Sequence, residues 1–236
     1  MRPLLFCCFG VIAAAVLRGE PVRFASGESQ TALIELFTSE GCSSCPPAER
    51  WLATLRETPG LWRDFVPVAF HVDYWNRLGW PDRFATREFT QREYAYAAAW
   101  KSESVYTPCL VRDGADLGGA HTLTPSGRKA GRLTARYDGT MLHAEFTPAE
   151  PAAGEGYEIH AALLGGGIVS PVTAGENAGE TLHHEFIALV LAHGTLGRDL
   201  ALPLPKVPGV TRHALAVWVT RHGELTPRQA TGGWLD

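Results

Sequence analysis

Two cysteines separated by two serines, Cys42-Ser43-Ser44-Cys45, stand at the spacing of a thiol–disulfide exchange centre. An apolar run, residues 32–39, and Gly41 precede them, and Pro46-Pro47 follows. Proline is tolerated in a helix's first turn, where backbone N–H groups lack helical partners. The spacing therefore predicts Cys42 just before a helix and Cys45 in its first turn. Unpaired N–H groups and the positive helix end stabilise a thiolate there. The expected chemistry makes Cys42 the exposed nucleophile and Cys45 the thiol that resolves a mixed disulfide. The same pair would also suit an inert disulfide or half of a zinc site. Zinc needs four ligands, and no second such motif occurs.

Other residues could tune these thiols. Glu35 lies within the apolar run, seven residues before Cys42. A buried carboxylate there has a raised pKa suited to proton transfer. The alternative is a hydrogen-bonded Glu35 that points away. His71 and Asp73 alternate on a second apolar run, so they share a face near its end. His71 is read as a base, a metal ligand or a satisfied core histidine, and Asp73 as a cap for the next turn. Tyr74, Trp75 and Trp80 either wall a groove beside the cysteines or fill the core. Cys109 is expected to be buried and inert, as free cysteine packs like a small hydrophobe. His183 and His184, adjacent on a strand, face opposite sides and cannot share a metal.

The elements that must position these residues read as follows. Strands are expected at 32–39 and 65–73, and helices at 46–57 and 85–101. On the second helix Phe89, Arg92, Tyr96 and Trp100 lie near one stripe, and Glu88–Arg92 is an i,i+4 pair. Residues 109–113 and 115–119 form a hairpin about Asp113-Gly114. After about residue 130 the pattern changes to strand-like runs at 133–137, 141–147, 157–164, 181–191, 198–204 and 212–221, separated by turn residues. This switch predicts two domains, an α/β domain over 30–121 and an all-β sandwich over 132–236.

The N-terminus carries its own signal. Met1-Arg2 precedes an apolar stretch from Leu4 to Leu17. It is shorter than the roughly 20 residues of a membrane-spanning helix and resembles a secretory leader, assigned to 1–25 with an unclear cleavage point. Removing it takes Cys7 and Cys8 and leaves three of the five cysteines. Export to a periplasmic or extracellular space is where a disulfide persists.

The chain from about 32 to 119 resembles the thioredoxin fold in its CxxC at the start of a helix and its Thr107-Pro108 before a strand. That resemblance implies a cis Pro108 against the disulfide and a Thr107 whose backbone meets a bound peptide. Thioredoxins place a buried acid six residues before the first cysteine. Glu35 is one residue off that position, and a shift of one flips the face. Glu35–Glu49, His71–Trp75, Phe89–Ala97, Val105–Pro108 and Gly175–Glu185 together resemble a secreted bacterial thioredoxin-like family known as domain of unknown function 1223. A fuller helix is expected after the hairpin, yet Pro125, Gly127 and Gly131 interrupt it here.

The expected function is an exported thiol–disulfide oxidoreductase acting on protein or peptide thiols through Cys42 and Cys45, with Glu35 assisting and no cofactor. The alternatives are a copper- or metal-handling carrier using Cys42, Cys45 and His71, and a binding module with a structural disulfide. A net charge of −4 argues against nucleic acid as a partner. No stable membrane span is expected once the leader is removed. Ser43-Ser44 offers no cationic side chain to a thiolate, which argues against a powerful oxidant.

Overall fold

The computed structural model describes residues 20–119, 121, 123–150 and 156–235. Cys7, Cys8 and the apolar stretch lie outside the described residues. In chain order the strands are β1 (Val22–Ala25), β2 (Ala32–Thr38), β3 (Phe65–His71), β4 (Cys109–Arg112), β5 (Ala115–Asp116), β6 (Gly131–Tyr137) and β7 (Met141–Pro148). They continue with β8 (Tyr157–Gly166), β9 (Ile168–Pro171), β10 (Thr181–His184), β11 (Ile187–Thr195), β12 (Leu200–Ala201), β13 (Arg212–Arg221) and β14 (Gln229–Trp234). The helices are α1 (Pro46–Thr54) and α2 (Arg87–Trp100).

Eight strands form one sheet in the order β14-β13-β8-β11-β3-β2-β4-β5. β2 and β3 are parallel, and both are buried along their whole length, as parallel strands covered on two faces should be. β4 returns antiparallel to β2, and the Asp113-Gly114 turn leads into β5. Both turn residues have positive φ, 49° and 85°, as a two-residue hairpin of this hand requires. The sheet ends at β5. No helix follows the hairpin among the described residues, in line with the glycines and proline there.

The boundary expected between 121 and 132 separates no layers. β11, from the second half, lies parallel to β3, with Ile187 opposite Ala69. β1 pairs with β6 across the same boundary, so a leader ending at residue 25 would cut away an edge strand. The run 181–191 is two strands rather than one. Phe186 has φ 60°, and the chain turns there between β10, paired with β9, and β11. A sandwich does form, but one of its layers is the large sheet. A four-stranded sheet, β1-β6-β7-β12, covers part of it. Alternation divides β8 and β13 between two cores. Ile159, Ala161, Leu163, Leu215, Val217 and Val219 face the small sheet. Ala162, Leu164, Ala214, Ala216 and Trp218 join the core of β2, β3 and the helices.

The same alternation decides where Glu35 points. Thr38 bonds to Glu49 on α1, so Glu35, three residues earlier, faces the other side, toward α2. Arg92 Nε donates to Glu35 Oε1 at 2.6 Å, and the Tyr96 hydroxyl donates to Oε2 at 2.5 Å. The Arg92 guanidinium thus turns inward to Glu35, not outward to Glu88. It also lies 5.2 Å from the Trp218 ring centroid and 5.6 Å from that of Phe70, both contacts a cation favours. Thr86 caps α2 by accepting the Phe89 N–H. Glu35 is therefore the anion of a buried ion pair, and proton transfer at the cysteines needs another group. Glu35→Gln strands a buried cation and should cost about 3–5 kcal/mol, read by denaturant unfolding. Thiol reactivity of Cys42 in the folded variant should be unchanged. Slowed thiol chemistry at unchanged stability would return Glu35 to the site.

Candidate active site

β2 ends at Thr38, and the chain turns through Glu40-Gly41 into the cysteines. A Cβ at Gly41 would come within 3.1 Å of Trp75 Cβ, so the approach of the two loops favours glycine. Cys42 and Cys45 form a disulfide with their Cα atoms 5.4 Å apart. Cys45 is the N-cap of α1, followed by the two prolines. The Thr107–Pro108 peptide is cis. Thr107's carbonyl oxygen lies 3.8 Å from Cys42 Sγ and accepts from the Ser44 hydroxyl at 3.3 Å. Trp75 Nε1 donates to Thr107 Oγ1 at 2.8 Å, which fixes the loop before β4 against the loop after β3. Pro108 is half-buried beside it.

Cys42 is not the exposed thiol expected of a nucleophile: both cysteines are 0% exposed, while Ser43 and Ser44 face solvent. The loop between β9 and β10 clasps the turn. Asn177 Nδ2 donates to the carbonyls of Glu40 (2.8 Å) and Cys42 (3.0 Å). Glu176 accepts from both the backbone N–H and the hydroxyl of Ser43, at 3.1 and 2.8 Å, and these bonds hold its carboxyl below the usual range. Neither residue stood out in sequence, because each acts across more than 130 positions.

Beneath the turn lies a buried ionic cluster. His184 Nδ1 bonds Glu49, and its Nε2 lies 3.3 Å from Glu40 Oε1. His71 Nδ1 bonds Asp82 Oδ2 at 2.6 Å. Thr38 donates to Glu49 Oε1 at 2.6 Å, Trp80 Nε1 to Glu40 Oε2 at 2.7 Å, and the Glu40 N–H to Asp82 Oδ2 at 2.9 Å. Glu49 is one helical turn from Cys45. His71, Glu49 and His184 each offer a ligand atom within 4.8 Å of the others, with His71 oriented by a carboxylate as metal-bound histidines are. Cys42 and Cys45 have their sulfurs bonded to each other, and the ligand-type side chains grouped with His71 are Glu49 and His184.

Asp73 accepts from the Thr90 hydroxyl at 2.7 Å, tying the turn after β3 to α2. Tyr74 is half-buried, with its hydroxyl toward Glu93 and Thr107. Burial pushes that phenol well up. Cys109 is a free, buried thiol whose pKa burial raises to about 12. His183 is exposed and His184 buried, as adjacent strand residues must be.

Burial disfavours the charged imidazole of His184, but Glu49 and Glu40 outweigh it and raise the pKa to about 10. Burial likewise opposes His71's charge and is overcome by Asp82 and Glu49, so its pKa is raised too. Burial pushes Glu49, Glu40 and Asp82 up, and the two histidines bring them below their ordinary values. The histidine contribution to stability is complete below the unfolded pKa of about 6.5 and is lost as pH rises toward about 10. The carboxylate contribution is complete above about 4.5 and is lost on acidification. Unfolding free energy should therefore fall on both sides of a plateau near pH 5–6. His184→Asn should lower the plateau by about 3–5 kcal/mol and flatten its alkaline limb. A wild-type protein equally stable at pH 6 and pH 9.5 would contradict this.

Residues 33–220 match the family described as Protein of unknown function (DUF1223). No curated protein matches the chain. Among solved structures, protein AGR_C_4864 from Agrobacterium tumefaciens is 25% identical, with a TM-score of 0.61 over 89% of this chain and 95% of its own. HBP35 of Porphyromonas gingivalis is 12% identical, with a TM-score of 0.53 over 89% of this chain and 77% of its own, a likeness of fold alone. The family match covers well over half of the sequence, and the chain belongs to the DUF1223 family.

Proposed function

We propose that this protein is an exported thiol–disulfide oxidoreductase that acts on protein or peptide thiols through Cys42 and Cys45. The observation that carries the reading is the Thr107 carbonyl, on the cis peptide before β4, lying 3.8 Å from Cys42 Sγ. The order β3-β2-β4-β5, with α1 and α2 on opposite faces, supports the thioredoxin-like description of this part of the chain. The apolar stretch from Leu4 to Leu17 supports export. No helix among the described residues is long and apolar enough to cross a membrane.

In the exchange, a substrate thiolate attacks Cys42 Sγ. A bond forms between the two sulfurs, the Cys42–Cys45 bond breaks, and Cys45 leaves as a thiolate that takes a proton. The substrate's second thiolate then attacks the substrate sulfur of the mixed disulfide and releases Cys42. The substrate loses two electrons as its disulfide forms, and the cysteine pair gains them. Run backward, the same steps reduce a substrate disulfide, and a second dithiol or disulfide resets the pair. Ionised Cys42 would sit at the N-terminus of α1. Thr107 and Pro108, with Tyr74 behind them, form the wall that the substrate strand meets.

The full burial of both cysteines favours a second reading, a binding module with a structural disulfide. In the exchange reading, the same burial makes opening of the 172–179 loop part of turnover. Cys42→Ser should abolish catalysed exchange with a model peptide disulfide. Cys45→Ser should accumulate a mixed disulfide, seen by mass spectrometry. Asn177→Ala removes two hydrogen bonds on the turn and should speed attack of small thiols on the disulfide by up to about 30-fold, at roughly 1 kcal/mol per bond lost. Exchange that survives Cys42→Ser, together with no trapped species, would leave the staple.

A further inference from the structure

On the far side of the Val105–Thr107 segment lies a cavity of about 120 Å³, whose lining includes Glu93, Trp100, Tyr106, Cys109 and Asp116. That is several times the space one water needs. Ser102, Ser104 and Tyr106 on its rim are exposed, so it opens to solvent. Glu93 comes from α2 and is 1% exposed, and neither carboxylate oxygen completes a hydrogen bond. The Tyr74 hydroxyl and the backbone of Tyr106 face it without closing one. Arg92, its neighbour on α2, is turned to Glu35. Asp116, by contrast, is satisfied by the Tyr106 hydroxyl and the Gly118 N–H. No basic residue lines the cavity.

We propose that this cavity is a binding site for a primary ammonium group, with Glu93 as its counter-ion and Trp100 and Tyr106 as its aromatic walls. A buried carboxylate without a donor is costly, and a ligand with a charged N–H group removes that cost. Aromatic walls suit a cation and disfavour an anion. Two carboxylates without a base also exclude anionic ligands. Burial raises the Glu93 carboxyl to about 7 against the smaller opposing pull of the Tyr74 hydroxyl and the Tyr106 backbone, and no cationic side chain contributes. Cys109, kept as a neutral thiol by burial, adds a soft apolar surface.

The ammonium group has two possible sources, a free alkylamine or the lysine side chain of a peptide lying along Tyr106-Thr107. The binding site does not rest on the redox reading, and the test uses oxidised protein in which no exchange occurs. Calorimetric titration of the full chain with n-butylammonium and with n-butanol compares a cation with its neutral counterpart. The cation should bind at least about tenfold more tightly, and Glu93→Gln should remove that preference. Asp116→Asn should weaken binding only a few-fold, and it carries the test if Glu93→Gln does not fold. A Gly-Lys-Gly peptide that outbinds its norleucine counterpart identifies a peptide source. Butylammonium binding without that difference identifies a free amine. Equal affinity for n-butanol and n-butylammonium, no binding of either amine probe, or binding indifferent to both substitutions would overturn the proposal.

Discussion

One pairing fixes where the second half of the chain sits: Ile187 lies beside Ala69 in parallel register, and the Ala69 N–H donates to the Phe186 carbonyl at 2.8 Å. Because β3 already carries β2 on its other edge, this contact joins β11, and with it β8, β13 and β14, to the sheet whose β2 leads into Cys42 and Cys45. The left-handed turn at Phe186 then throws β10 out of that sheet, over α1. His184 arrives beside His71, their rings 5.3 Å apart. Glu185 meets Arg56, just past the end of α1, at 3.0 Å. The loop preceding β10 reaches Glu40, Cys42 and Ser43. A strand pairing in the core thus determines the chemistry around the disulfide.

Two kinds of interaction meet at that disulfide. Above it, the bonds of Asn177 and Glu176 are neutral or solvent-facing. Below it, the Glu40–His184–Glu49 and His71–Asp82 pairs are buried, where breaking a pair is far costlier than the pair itself is stabilising. The turn therefore rests on a buried charged floor and lies beneath a hydrogen-bonded cover. Glu49, one turn of α1 from Cys45, is bonded to both Thr38 and His184 and belongs to this floor. Glu35 occupies the same strand in the opposite orientation and serves α2 instead.

The local features were legible in sequence because they depend on neighbours in the chain. The Cys-Ser-Ser-Cys turn, the prolines that open α1, the Asp113-Gly114 hairpin and the apolar runs of β2 and β3 follow from spacing and backbone preference. What was not legible is non-local. The covering of Cys42 depends on Asn177, and the charge floor on His184, each more than a hundred residues away, and adjacency to His183 concealed the latter. The change in pattern near residue 130 is real, since the described residues beyond it form strands and no helix, but it marks a change in what covers the sheet and not the end of the sheet. The Glu35 ambiguity came down to a single residue of register, and the partner that resolves it, Arg92, already had a plausible neighbour in Glu88.

The central claim is that the Cys42–Cys45 bond is a working redox couple and not a staple. Its reduction potential, measured by equilibration with glutathione buffers on the folded protein, tests this most directly. The account predicts a value between about −270 and −120 mV, the span of exchange-active pairs of this kind. A value below about −300 mV, where structural disulfides lie, would contradict it.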